Sequence, residues 1–342
     1  PGGYEKILVG TKTCHVCPIG CRREATLTEG PYAFGEKVEG PEYETLVMLG
    51  TDCGCDSVEA VAKANDLCNL YGLDTISTGS TIAFAMECYE KGLLSKEETD
   101  GLELKFGNCD AVIEMVQKIA KREGFGNILA EGVRRAARII GKDAENYAIH
   151  VKGLELPAHD PRAWRGGGPY YASIPSGGRH TEGMPLGWHL GVHSIAVQIG
   201  APKVSDKTTL EDEILATKLC QDWKSFEISS GWCIFPGEFD GYPSAEVFTE
   251  IYSAVTGVKI SIQDALKLGE RVFTVRKSFN MRHGATRADD TLPKRLLTEK
   301  NTKTNLAIEL DKSLPYYYEL RGWDPKTSKP TIEKLSALGL ED

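Results

Sequence analysis

Cys14, Cys17 and Cys21 fall in the stretch CHVCPIGC, and three thiolates at that spacing can converge on one metal because the short intervals turn the backbone around it. Pro18 and Gly20 supply the bends. Soft thiolate ligands suit iron and sulfide, and a [4Fe–4S] cluster then needs a fourth ligand from elsewhere in the chain. A structural zinc site, held by four cysteines or by three cysteines and a histidine, is the main rival, with His15 or a remote residue completing it. Three unrelated buried thiols are the third reading.

The fourth ligand must come from the remaining cysteines. Cys53 and Cys55, in DCGCD, are close in sequence, and Cys109 stands at a predicted helix start. Cys68, Cys88 and Cys220 fall inside predicted helices, where a small buried hydrophobe is the ordinary role. Cys233, in SSGWCIFPG, lies in a predicted loop from which its thiol could be aimed across a lobe interface.

The elements that must position these groups are mostly helical. Apolar residues recur at helical period in SVEAVAKANDLCNLYG, TIAFAMECYEKG, DAVIEMVQKIAKREG, ILAEGVRRAARIIG, LEDEILATKLCQDWKSF, AEVFTEIYSAVTG, SIQDALKLGERVFTVRKSF and LAIELDKSLPYYYEL. Asp56 with Glu59 resembles a capping box before the first of these, and Gly72 supplies its stop. Strand-like alternation is confined to EKILVG and AIHVKG. The expected fold class is mostly α, in two multi-helical lobes. An irregular stretch from about Lys152 to Gly187, rich in Gly, Pro, His and Arg, reads as functional loops, and the chain end reads as a loop and a short helix.

Composition narrows the class of function. The 342 residues carry a net charge of −9, against the clustered basic surface that nucleic acid requires, and no apolar run reaches the length of a membrane span. Ten cysteines without a secretion signal suggest a reducing, cytoplasmic setting in which thiols bind metal or pack. The chain starts at Pro1 without Met and reads as a processed or truncated product.

Several stretches, in order along nearly the whole chain, resemble the aldehyde ferredoxin oxidoreductases: CHVCPIGC, GPEYETLVMLG, LCNLYGLDTISTG, SGGRHTEG, SGWCIF, RVFTVRKSFNMRHGATRADDTLPKRL and YYELRGWD. The resemblance implies the two helical domains of that family, 1–155 with the cysteine triplet and 156–342 with a fourth cysteine and active-site loops. On that correspondence the family's N-terminal β-rich pterin-binding domain is expected to lie outside this chain, in lost sequence or a partner subunit. It implies a tungsten (or molybdenum) bis-pterin centre and a [4Fe–4S] cluster, with Cys14, Cys17, Cys21 and Cys233 as cluster ligands. The implied reaction is oxidation of an aldehyde to a carboxylic acid, with ferredoxin or a similar carrier taking the electrons. Self-association into a homo-oligomer is left open.

Two turns correspond to the family's pterin contacts. In the first, Asn69 to Asp74, with Gly72 and Leu73 between, Asn69 replaces a leading Asp; in the second, Ile228 to Cys233, with Gly231 and Trp232, Ile228 replaces it. On residue type alone the first is a C-capped helix followed by an N-cap at Asp74. Proton steps need a carboxylate and an imidazole, and Glu44 with its neighbour Glu42, and His180 in SGGRHTEG, are the choices the resemblance implies. His159, His189 and His193 compete with His180. Arg179 is a candidate for binding a carboxylate product, and Trp164, Tyr170, Tyr171 and Trp188 either line a channel or, more ordinarily, form core. Two other readings stand beside this one: a cluster-bearing electron-transfer or scaffold subunit without pterin, and a related aromatic thioester reductase.

Overall fold

Ser57, not Asp56, starts the first long helix. Its hydroxyl accepts the Ala60 amide at 3.2 Å and donates to Glu59 at 3.1 Å, so the expected Asp56 cap is displaced by one residue. The helix Val58–Tyr71 ends at Gly72, whose φ of +70° is the left-handed stop that glycine tolerates. Asp74 then caps Thr75–Glu90 by accepting the Ser77 amide. In the helix Cys109–Lys121, Val112, Met115, Val116 and Ile119 recur on one face and are buried, as the period requires.

The computed structural model describes residues 3–189, 195–205, 207–235 and 243–341. The chain divides into two compact units, Pro1–Ala158 and His159–Asp342. The first is built on a helical core including Leu49, Ile82, Phe84, Met86, Met115 and Leu129, each burial worth about 1.5–3 kcal/mol for a large side chain. Its expected helix across ILAEGVRRAARIIG is instead two helices, Phe125–Leu129 and Val133–Ile140. Gly132, at φ +78°, breaks the run, and the buried Glu155 carboxylate accepts the Val133 amide at 2.8 Å to cap the second piece.

A three-stranded antiparallel sheet also belongs to this unit: β1 Leu8–Lys12, β2 Arg22–Leu27 and β3 Gly35–Glu39, with Lys12 opposite Arg22 and Ala25 opposite Val38. Of these three, β1 alone overlaps an expected strand, EKILVG, and it runs two residues past it. The other two are rich in charged residues, β2 half-buried and β3 more exposed, so no apolar alternation marks them. His150–Val151 pairs with Leu154–Glu155 in a short hairpin.

In the second unit, Leu210–Ser229 and Ile262–Arg282 both begin with capping boxes, Thr209 with Asp212 and Ser261 with Asp264. They approach at backbone distance, since a Cβ on Gly269 would lie 1.7 Å from the Asp222 carbonyl oxygen. Trp223, Phe226, Phe248 and Leu266 form their core. The helix Leu310–Arg321 inserts Arg321 fully buried against Asp222, Gln221 and Tyr317. The stretch expected to be irregular contains a buried helix, Gly167–Ser173, and the chain ends in the helix Ile332–Ala337. Among the described residues no helix is long and apolar enough to cross a membrane.

Candidate cofactor and proton-transfer sites

The loop joining β1 to β2 carries Cys14, Cys17 and Cys21, none of them in a disulfide. The Cys17 amide donates to the Cys14 carbonyl at 3.1 Å, closing a tight turn, and Val16 and Gly20 both take left-handed backbone conformations, at φ +59° and +62°. For a β-branched residue that conformation is strained, and strain of this kind persists where the surroundings demand a particular loop shape. Cys14 is exposed and the other two are half-buried. Arg23 donates to the Cys21 carbonyl at 2.7 Å, and Arg22, paired with Glu39 across β2 and β3, also interacts with Cys14. A bent loop of three cysteines outside any disulfide, with two guanidiniums at its exit, fits an anionic metal–thiolate group.

The remaining cysteines of the first unit are unsuited to that role. Burial pushes the Cys68 and Cys88 thiols up to about 12, and drives Cys53 higher still. Cys55 and Cys109 form a disulfide, which corrects the expectation of uniformly reduced thiols. The turn at Gly54 brings them together: the Gly107 amide donates to the Cys53 carbonyl at 2.9 Å, so the two segments already lie side by side.

Glu44 lies in a short helical piece, Tyr43–Thr45, that runs into a π-helical turn, Leu46–Thr51. There the Asp52 amide reaches back to Val47, the wide i→i+5 pattern often found at functional sites. Gly79 permits this packing, because a Cβ there would lie 2.4 Å from the Met48 carbonyl carbon. Glu44 is half-buried, and its Oε2 accepts the Ala158 amide at 2.9 Å. Its neighbour Glu42 has a raised pKa, from burial first, with Arg23 acting the other way.

At the first turn Asn69 is exposed and its carbonyl accepts the Gly72 amide. Leu73 packs on the core, and Asp74 is exposed with Oδ2 taken up by the Ser77 cap at 2.7 Å. Leu70 and Tyr71 beside them are exposed as well. In the second unit, Gly231 at φ +77° follows the end of the helix Leu210–Ser229. Trp232 packs edge-on against Phe248, and Cys233 is a free, exposed thiol. Ile228 is exposed at the same helix end.

His180 is half-buried, and its ring centroid lies 4.8 Å from that of His159. Two residues on, Glu182 is buried and held by Ser176 at 2.7 Å and by both terminal nitrogens of Arg276 at 2.8 and 2.9 Å. Arg179 is mostly exposed and 3.8 Å from Glu182. Trp164, Tyr170, Tyr171 and Trp188 are all buried. His189 and His193 lie outside the described side chains. Glu182 and Arg276 were not singled out from the sequence; the one signal was a carboxylate two residues beyond His180 in a glycine-rich loop.

A sequence profile described as "Aldehyde ferredoxin oxidoreductase, domains 2 & 3" matches residues 3–340. The chain belongs to the aldehyde ferredoxin oxidoreductase family. It is 38% identical to a tungsten-containing aldehyde ferredoxin oxidoreductase of Pyrococcus furiosus over 98% of its own length and 54% of that protein, and 38% identical to the same enzyme of Pyrococcus abyssi with the same coverage. The chain therefore spans about half the length of the curated relatives it matches. Among solved structures, the active-site complex BamBC of benzoyl coenzyme A reductase, in complex with 1,5-dienoyl-CoA, superposes over 98% of the chain and 53% of its own with a TM-score of 0.77. At 22% identity that likeness concerns the fold. The two aldehyde ferredoxin oxidoreductase domains of the profile thus correspond to the mostly helical architecture seen here.

Proposed function

We propose that this chain supplies the helical portion of an aldehyde:ferredoxin oxidoreductase, with Cys14, Cys17, Cys21 and Cys233 holding a [4Fe–4S] cluster and the Asn69–Asp74 and Gly231–Trp232 turns contacting a tungsten (or molybdenum) bis-pterin centre. The observation that carries the proposal is the 14–21 loop, whose three cysteines, outside any disulfide, share one strained, cation-flanked bend. Bound at these residues, the metal centre would supply a two-electron acceptor and the cluster a one-electron relay.

The chain's own residues serve the rest. Converting an aldehyde and water to a carboxylic acid releases two electrons and two protons, so proton acceptors are needed. Glu44, fixed through Oε2 by the Ala158 amide, is a carboxylate with a set orientation. His180 adds an imidazole, a group able to accept and pass on a proton. Asn69 and Asp74 offer acceptors to pterin N–H groups, and Leu73 and Trp232 offer apolar surface.

One observation favours the second reading, a cluster-bearing electron-transfer or scaffold subunit without pterin. Ile228 presents an exposed apolar side chain where the family places a carboxylate. Anaerobic elemental analysis decides between them. About four iron per chain with tungsten or molybdenum supports the oxidoreductase, to be followed by assays with an aldehyde and with an aromatic thioester. Iron without either heavy metal supports the scaffold, and zinc alone overturns both.

A further inference from the structure

The helix Gly167–Ser173 carries two consecutive tyrosines, Tyr170 and Tyr171, and neither has any exposed surface. A buried phenol must place its hydroxyl on a partner. The Tyr170 hydroxyl donates towards the carbonyls of His180 at 2.8 Å and Arg179 at 3.0 Å, and accepts the Glu182 amide at 3.2 Å. The Tyr171 hydroxyl donates to the carbonyl of His159 at 3.2 Å. The two histidines whose backbones are held in this way are the two whose ring centroids lie 4.8 Å apart.

The framework behind the tyrosines is stiff. A Cβ on Gly167 would lie 2.2 Å from the Pro161 carbonyl oxygen, and one on Gly168 would lie 2.5 Å from Ile308, so the glycine run seats the helix directly on its neighbours. Ser173, at its end, accepts a hydrogen bond from Gln221, itself bonded to Tyr317 and Arg321. The His180 loop is closed on its far side by the Glu182–Arg276 pair and by Gly183, at φ +88°, against the Cys220 carbonyl. Both imidazoles remain half-buried while their backbones are tied to fully buried groups. Phenylalanine would fill the same volume. What the hydroxyls add includes the links to the His159 and His180 carbonyls and, for Tyr170, those to the Arg179 carbonyl and the Glu182 amide.

We propose that Tyr170 and Tyr171 are positioning residues that set a paired His159–His180 imidazole unit, an inference that rests on the reading of His180 as a proton-handling residue. Groups that move protons must be held to within about 0.5 Å of the productive geometry, and backbone anchoring by a buried hydroxyl achieves that without touching substrate.

The test compares Tyr170→Phe, Tyr171→Phe and the double variant in the full-length holoenzyme. The control is Tyr318→Phe, another fully buried tyrosine, whose hydroxyl binds Asp290 at 2.7 Å. With acetaldehyde as probe, Tyr170→Phe is expected to lower kcat about tenfold or more at unchanged KM and metal content, in the range for a displaced catalytic group. Independently of turnover, the rate at which diethyl pyrocarbonate modifies His180, followed by peptide mass mapping, should change several-fold in Tyr170→Phe and stay at the wild-type rate in Tyr318→Phe. Equal kcat and equal His180 reactivity in Tyr170→Phe and wild type, whatever the thermal midpoints, would overturn the inference. A wild-type protein without aldehyde turnover would remove the functional reading instead, and the His180 reactivity would still decide whether the hydroxyl sets the imidazole.

Discussion

The Glu44 carboxylate accepts the backbone amide of Ala158, 114 residues further along the chain, at 2.9 Å. An acceptor that spans the first unit from near its sheet to its last residue both orients the carboxylate and closes the unit. Glu44→Gln keeps the shape and removes the charge, so it is expected to lower aldehyde turnover by about 100-fold or more while tungsten and iron stay bound. The charged hydrogen bond becomes a neutral one, at about 1 kcal/mol of stability in denaturant titration. Unchanged turnover would pass the proton role to Glu42 or His180.

Cys17→Ser and Cys233→Ser separate the cluster reading from a packing role. Neither thiol is fully buried, so both variants should retain the helical far-ultraviolet spectrum. Each should lose most bound iron, because serine is a poor ligand for iron–sulfur centres. Four irons per chain in Cys233→Ser would remove that residue from the ligand set.

Gly79→Ala probes the π-helical turn that follows Glu44. The added methyl would collide with the Met48 backbone, which cannot rotate aside as a side chain can. A loss of about 1–3 kcal/mol is expected, read as a lower thermal midpoint. An unaltered midpoint would mean that the helix Thr75–Glu90 can shift away without cost.

Glu270 provides a pH signature for the second unit. Burial alone would raise its pKa, but Lys218 at 3.4 Å, Lys334 at 3.0 Å and Arg321 together hold it below the ordinary value. A depressed carboxylate stabilises the fold above its unfolded pKa of about 4.3 and loses that contribution as pH falls through the folded value. Glu270→Gln should therefore destabilise the protein by about 1–2 kcal/mol at pH 7, with the difference from wild type vanishing in strongly acidic buffer. A difference independent of pH would indicate a loss of packing rather than charge.

Helices were legible where one apolar face recurred, as with Val112, Met115, Val116 and Ile119, and Gly72 marked a true helix end, whereas the break at Gly132 within ILAEGVRRAARIIG was not legible. Strands β2 and β3 were not, because their residues are mostly charged and lie at a partly solvated sheet where pairing rather than patterning makes the strand. The cysteine triplet was visible as a spacing, whereas the left-handed Val16 between its first two members was not, since nothing in a valine announces positive φ. The Cys55–Cys109 bond needed two segments 54 residues apart to be neighbours, and the paired rings of His159 and His180 likewise depend on how two loops wrap one helix. Contacts between distant segments are properties of the folded chain.

The Cys55–Cys109 bond also changes what a break in the chain means. It encloses the helices Val58–Tyr71 and Thr75–Glu90 in one covalent ring, together with the exposed turn around Lys96. A protease that cuts at that turn opens the ring into a longer strand but releases nothing, so the nicked protein runs as one species until a reductant is added and then as two. Within this unit, continuity of the peptide chain and continuity of the molecule are separate properties.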